Sequence, residues 1–259
     1  MYQALEIGAT GMRAQQTQID TIAHNVANVN TAGFRRAVVS FAEVSAALAG
    51  NPSADLLQAA RSQLLARNAG AMANVSMSSD VGEMKQTGVA LDVAIDGTGF
   101  LEVVRADGTP AYTRAGALQV NAEGLLATAD GSPLAARIAM PPDATAIRIA
   151  ADGRVFAAVD DTAEMEVGQL ELVSFSNLDG LLAAGDNQYV AAPQAGEARA
   201  GIPGTEGLGT IRQGYLESSN VQLIDELVSL MLAQRAFEMN SKIVQAADQM
   251  MAITNGLVR

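Results

Sequence analysis

Apolar residues recur with helical spacing at both ends of the chain. Near the start, Leu5, Met12, Ile19 and Val26 stand seven apart, with Ile22 and Val29 in a companion position. That period predicts a helix over residues 1 to about 30. Its charges, Glu6, Arg13 and Asp20, form one thin stripe, and small residues and amides such as Ala9, Gln15, Gln16, Asn25 and Asn28 fill the other faces. Asn30-Thr31-Ala32-Gly33 supplies the stop, because Gly33 can take a positive φ after the last turn. At the far end Ser219-Asn220-Val221-Gln222 fits a capping box, with Ser219 at N-cap and Gln222 at N3. The helix that follows is expected to reach about Thr254 and to stop at Asn255-Gly256.

This last helix carries three apolar seams. Leu223, Leu230, Phe237, Val244 and Met251 form the first; Leu232, Met239, Ala246 and Ile253 the second; Ala236, Ile243 and Met250 the third. At about 100° per residue the second and third lie roughly 200–240° around from the first. A single partner helix covers one side only, so the pattern predicts apolar surface reserved for other chains. The competing reading, a central helix of a monomeric bundle, requires the β-rich middle to fold back over both helices. Asn25 and Asn28 are expected to bond across helices, since amides desolvate more cheaply than charges.

Between the helices the texture changes. Residues 38–48 are apolar, Ser53 is placed to cap an amphipathic helix carrying Leu56, Leu57, Ala60, Leu64 and Leu65, and residues 72–79 read as a connector. From about 88 to 215, Asp-Gly pairs at 96–97, 107–108, 130–131, 152–153 and 179–180 mark tight turns. The runs at 91–95, 100–104, 146–149 and 170–175 suit short strands. The expected fold is α+β: long N- and C-terminal helices pairing as a coiled coil, with an inserted all-β domain of short strands. The expected division is an N-terminal assembly helix (1–40), a connector with a short helix (41–87), a β-rich outer domain (88–215) and a C-terminal assembly helix (216–259).

Charge and composition narrow the chemistry. With 28 Asp and Glu against 16 Lys and Arg the net charge is -12, leaving no basic excess for nucleic acid or an anionic membrane. Cys is absent and His24 is the only histidine, which excludes disulfides, thiolate sites and His-rich metal sites. His24 has no nucleophile or orienting carboxylate at a telling spacing. Asp96-Gly97-Thr98-Gly99-Phe100 lacks the third glycine of a dinucleotide loop, and Gly201, Gly204, Gly207 and Gly209 lack a following Lys-Ser/Thr. Asp160, Asp161, Glu164 and Glu166 lack calcium-loop spacing. Asn74-Val75-Ser76 matches a glycosylation acceptor by pattern alone. No stretch approaches the roughly 18 apolar residues of a membrane helix, and the N-terminus lacks the basic and apolar regions of a cleaved signal. Charged residues make up 17% and apolar ones 49%, against about 25% charged in ordinary soluble domains. That is too little solvated surface for a comfortable monomer. The expectation is an assembly protein with no enzymatic activity, cofactor or metal.

Residues 22–36, Ile22-Ala23-His24-Asn25-Val26-Ala27-Asn28-Val29-Asn30-Thr31-Ala32-Gly33-Phe34-Arg35-Arg36, resemble the N-terminal signature of bacterial flagellar rod and hook proteins. The stretch from Gly214-Tyr215-Leu216-Glu217-Ser218-Ser219-Asn220-Val221 through Ala236-Phe237-Glu238-Met239-Asn240-Ser241-Lys242 is similar to the family's C-terminal signature. Leu91-Asp92-Val93-Ala94-Ile95-Asp96-Gly97-Thr98-Gly99-Phe100 and Ala111-Tyr112-Thr113-Arg114-Ala115-Gly116 look like its β domain. Length and the 213–221 stretch are most similar to distal rod members, with proximal rod or hook-like subunits as the alternative. A rival of another class is a secreted β-domain hydrolase or binding module. The resemblance implies export through the flagellar export apparatus without a cleaved signal, and helical self-assembly into a hollow, torque-transmitting periplasmic rod of the basal body. It implies neighbours among proximal rod subunits, hook or hook-junction subunits and the surrounding P- and L-ring proteins. It also marks Asn30, Thr31, Gly33 and Phe34 as the family's motif turn.

Overall fold

The computed structural model describes residues 2–42, 72–159 and 164–257. The chain forms two compact units: Met1–Ala27 with Ala37–Ser76 and Gln222–Arg259, and Asn28–Arg36 with Met77–Val221. Among the described residues no helix is long and apolar enough to cross a membrane.

The first unit is built on two helices, α1 (Tyr2–Ala27) and α2 (Leu223–Leu257), which pack along one another. A strand pair, Ala37–Ala42 with Met72–Met77, completes it. The second strand replaces the expected connector at 72–79. Pairing with a neighbouring strand satisfies its backbone groups, which no pattern within the segment itself reports. The helix expected between Ser53 and Asn68 lies outside the described residues.

The start of α2 also departs from expectation. The first helical bond runs from the Glu226 N–H to the Gln222 carbonyl, so the cap position is Gln222, three residues beyond the expected Ser219. The Ser219 hydroxyl accepts from the Val221 N–H at 3.3 Å and closes a local turn instead. Asp225 and Glu226 then place carboxylates in the first turn, where the helix dipole favours them. At its other end α2 runs through Asn255-Gly256 to Leu257. A glycine permits a stop without enforcing one.

Among its described residues the second unit is all β apart from short 3-10 turns. A six-stranded antiparallel sheet has the order Leu181–Gly185, Gln188–Ala191, Pro110–Thr113, Phe100–Val104, Leu172–Ser174, Arg199–Gly201. Alternation buries both of its faces. Leu101, Val103, Ala111 and Leu172 join one cluster, which also takes Ile149, Val155 and Ala157 from a three-stranded sheet made by Ala144–Ile149, Arg154–Val159 and Glu164–Gln169. Phe100, Tyr112, Val173 and Tyr189 form the other, with Phe175 edge-on to Phe100 and Tyr112.

Four of the five Asp-Gly pairs place their glycine at positive φ, as turns require: Gly97, Gly108, Gly131 and Gly153. Asp179-Gly180 does not. It lies in a 3-10 turn, Leu178–Gly180, whose N-cap Asn177 accepts from the Asp179 N–H. The two-residue hairpin turn with both φ values positive belongs to Asp186-Asn187, at 51° and 56°. Both residue types tolerate that region through local side-chain bonding.

Glu102 sits on the aromatic face opposite Tyr112. Desolvation first, and Glu171 second, raise its carboxyl above the ordinary glutamate value. A raised folded-state pKa contributes stability below about pH 4.3 that is lost as pH rises through the folded value. Glu102→Gln is therefore expected to stabilise the β unit at pH 7, with the gain vanishing near pH 3. Urea titrations at the two pH values measure it.

Candidate assembly interface

The α1–α2 contact is made at close range by small residues. A Cβ on Gly8 would stand 2.7 Å from Val244 Cγ2, and one on Gly11 would stand 3.1 Å from Asn240 Nδ2. Among the described side chains Gly8, Ala14, Ile22 and Asn25 are the buried ones of α1, and Glu226, Ala233 and Ala247 those of α2. Leu230, Phe237 and Val244 are half-buried along the same side of α2. The α1 seam is thus turned about one residue from the predicted one. Met12, Ile19 and Val26 flank it half-buried, while the side chains of Leu5 and Met251 lie outside the described residues. Leu223, predicted with the inner seam, is instead 45% exposed, because it stands at the helix start.

The opposite flank of α2 is open. Ile224, Val228, Leu232, Met239, Ile243, Met250 and Ile253 are all exposed, by 51–77%. Spacings of three, four and seven keep these side chains on one stripe about 100° wide. They include Leu232, Met239, Ile243 and Met250 of the second and third predicted seams. At roughly 25 cal/mol per Å² of apolar surface, covering several such side chains stabilises an assembly by many kcal/mol before entropy costs. Among the described side chains of α1 the exposed ones are by contrast polar or small: Arg13, Gln16, Asp20, Ala23, His24 and Ala27.

Two predicted interface amides are engaged within the chain. Asn25 is 1% exposed; its Nδ2 donates to the Ala37 carbonyl at 2.8 Å and its Oδ1 accepts from the Ala37 N–H at 2.9 Å. This is a side chain imitating a strand edge, and its Nδ2 also reaches Glu226 Oε2 across the helix pair at 3.4 Å, as an amide expected to bond across helices would. Asn28 accepts through Oδ1 from the Thr31 hydroxyl and through its carbonyl from the Thr31 N–H.

The motif turn belongs to the β unit. Asn30 is exposed, Thr31 closes the turn, and Phe34 is buried. Gly33 adopts φ +69°, and its N–H donates to the Glu217 carbonyl at 2.7 Å. A Cβ there would lie 2.3 Å from the Arg114 carbonyl oxygen. Gly33→Ala must therefore displace backbone as well as enter left-handed space, which alone costs about 1–2 kcal/mol. Loss of at least about 2 kcal/mol in chemical denaturation is expected.

Next to this turn lies a buried charge cluster with no counterpart in the sequence prediction. Glu217 Oε1 meets Arg35 Nη2 at 3.1 Å and the Gly82 N–H at 2.9 Å, while Oε2 meets Arg114 Nε at 2.7 Å. Arg35 also donates to the carbonyls of Ser79 and Asp80. Burial, and then Arg114, pull its pKa below the usual arginine value. Arg114 donates further to the carbonyls of Gly99, Ile95 and Gly97 at 2.8–3.0 Å. The Gly97-Thr98-Gly99 loop thus cradles a guanidinium with its carbonyls, the opposite polarity to a phosphate loop. Asn220 ties the ends further, accepting from the Arg36 N–H at 2.7 Å and donating to the Asp80 carbonyl at 2.9 Å. The three charged residues stand inside the motifs already quoted, but their meeting spans up to 182 residues of sequence, from Arg35 to Glu217, and no local spacing reveals it.

The other candidate chemistry stays apart. His24 is exposed on α1, Glu164 pairs with Arg148, and Asp160 and Asp161 lie outside the described residues. Asn74-Val75-Ser76 sits within the strand Met72–Met77. No group of three His, Cys, Asp or Glu able to hold a metal occurs among the described residues.

A helix pair with an apolar stripe exposed along α2, joined in sequence to a compact β unit, is the class of chain that the described residues define. Comparison with known proteins gives that class a family. Residues 5–35 match the family "Flagella basal body rod protein", residues 94–157 the "Flagellar hook protein FlgE/F/G D1 domain", and residues 212–257 the "Flagellar basal body rod FlgEFG protein C-terminal". The chain is 38% identical to the flagellar basal-body rod protein FlgG of Agrobacterium fabrum, covering 97% of this chain and 98% of that one. It is also 38% identical to FlgG of Borreliella burgdorferi over 100% of both chains. With the flagellar basal-body rod protein FlgF of Caulobacter vibrioides the identity is 31%, over 94% of this chain and 93% of that one. The chain belongs to the flagellar basal-body rod protein family, whose members are structural subunits of the basal-body rod and not enzymes.

Proposed function

We propose that this chain is a structural subunit of the distal rod, polymerising helically into a hollow shaft that crosses the periplasm and transmits torque to the hook. The observation that carries this reading is the apolar stripe of α2, which stands exposed among the described residues. Identity of 38% to FlgG relatives along their whole length favours the distal position over a proximal one. In this reading α1 and α2 wind as a coiled coil, residues 1–40 and 216–259 form the inner assembly layer, and 88–215 the outer one. Proximal rod subunits, hook-junction subunits and the P- and L-rings are its neighbours, and the flagellar export apparatus delivers it.

The test is to image basal bodies from cells that lack the gene. Rods that stop short of the outer membrane and carry no hook are expected. Full-length rods bearing hooks would overturn the proposal.

A further inference from the structure

The line along which α1 and α2 touch is small and polar. On α2 the buried side is centred on Glu226, Ala233, Asn240 and Ala247, seven residues apart; Asn240 is half-buried and the others are buried. On α1, Gly8 comes against Val244, Gly11 against Asn240 and Asn25 against Glu226. From Gly11 to Asn25, and from Asn240 back to Glu226, is fourteen residues in each helix. The two helices thus run antiparallel in a single register over about four turns.

Packing and apolar burial hold that register weakly. Sliding α2 by one heptad brings Gly11 against Ala233 or Ala247, small against small. Leu230, Phe237 and Val244 recur at the same interval, so an apolar side chain still meets Gly8. Such a slide carries the apolar stripe of α2 about 10 Å along α1.

What the slide breaks is the polar pair. Asn25 and Glu226 are each 1% exposed, and the Asn25 Nδ2 donates to Glu226 Oε2 at 3.4 Å. The same amide is fixed to both backbone groups of Ala37, so it cannot follow a moving helix. In either direction Glu226 leaves the amide, and in one of them Asn25 meets Ala233, which offers no side-chain acceptor. Losing the partner of a buried polar group is costly, and one buried polar residue is enough to select the register of a helix pair.

We propose that Asn25 and Glu226 select the register of α2 on α1, and with it the place at which the apolar stripe is offered to neighbouring copies. Gly8 and Gly11 permit close approach; this pair decides where along the helices it happens. The consequence for assembly rests on the rod reading, whereas the register is a property of the single chain.

The chain has no cysteine, so engineered pairs report the register of the purified full chain. Gly11→Cys with Asn240→Cys marks the observed register. Gly11→Cys with Ala233→Cys, or with Ala247→Cys, marks a slide of one heptad either way. With Glu226 in place, mild oxidation is expected to close the first pair alone. With Glu226→Leu the slipped pairs are expected to close at least tenfold more, and rods in cells making Glu226→Leu without the cysteines to fall at least tenfold in number. Glu226→Gln, whose amide oxygen still accepts from Asn25, is expected to restore both. Glu226→Leu chains that close the first pair alone would overturn the proposal, as would Glu226→Gln chains that slip equally. Normal rods from a chain that slips would overturn the link to assembly. Should Glu226→Leu not fold, Glu226→Ala, which continues the seam of Ala233 and Ala247, decides by the same cross-links. Failure of the rod reading shows separately, as absence of the unaltered chain from purified basal bodies.

Discussion

Glu217→Gln is expected to destabilise the β unit by about 3–5 kcal/mol, the usual cost of removing one partner from a buried ion cluster. The carboxylate is 2% exposed and is the anion that Arg35 and Arg114 share. The amide keeps the shape but removes the charge and turns one acceptor into a donor, which then points at a guanidinium. The carbonyls around Arg114 soften the loss without cancelling it. Equilibrium urea unfolding of the purified chain measures the effect; a change below 1 kcal/mol would show that the arginines are held by the carbonyls alone.

The second large effect concerns assembly. Met239→Asp combined with Ile243→Asp places two carboxylates on the open stripe of α2, where Met239 is 61% exposed and Ile243 53%. In the monomer both face water, so helix content and melting temperature are expected to stay near those of the unaltered chain. In a polymer both carboxylates must be desolvated at a cost of several kcal/mol, and each 1.4 kcal/mol is tenfold in affinity. Association weaker by more than about 100-fold, and cells without rods, are expected. Phe237→Asp gives the contrast: on the side facing α1, it is expected to loosen the helix pair itself. Ultracentrifugation with circular dichroism separates the two. Rods of normal number from the double variant would mean that the stripe faces solvent in the assembled state.

How legible the molecule was varies with the range of the interactions. Helical periods placed α1 and α2 within a few residues, because amphipathic spacing is a local consequence of 3.6 residues per turn. Four of the five Asp-Gly pairs marked turns of the β unit for the same local reason. The strand Met72–Met77 and the true start of α2 were not readable, since both depend on hydrogen-bond partners outside their own segments.

The assembly surface divides in the same way. Seams of Leu232, Met239, Ile243 and Met250 set apart from Leu230, Phe237 and Val244 already state that α2 needs more than one neighbour. Which seam is used internally was settled by packing: Gly8 and Gly11 let α2 approach closely on one side, and no period reports that approach. Asn25, read as an amide that bonds across helices, reaches Glu226 of α2 and is held as well by the backbone of Ala37.

Composition and periodicity are thus enough to identify a chain with too much apolar surface for itself, and to locate that surface on its last helix. Its motifs are enough to place it among rod proteins. Only the three-dimensional arrangement reveals the Arg35–Glu217–Arg114 cluster. The reason is physical: local backbone preferences are encoded by neighbours in sequence, whereas charge pairing arises between residues that folding alone brings together.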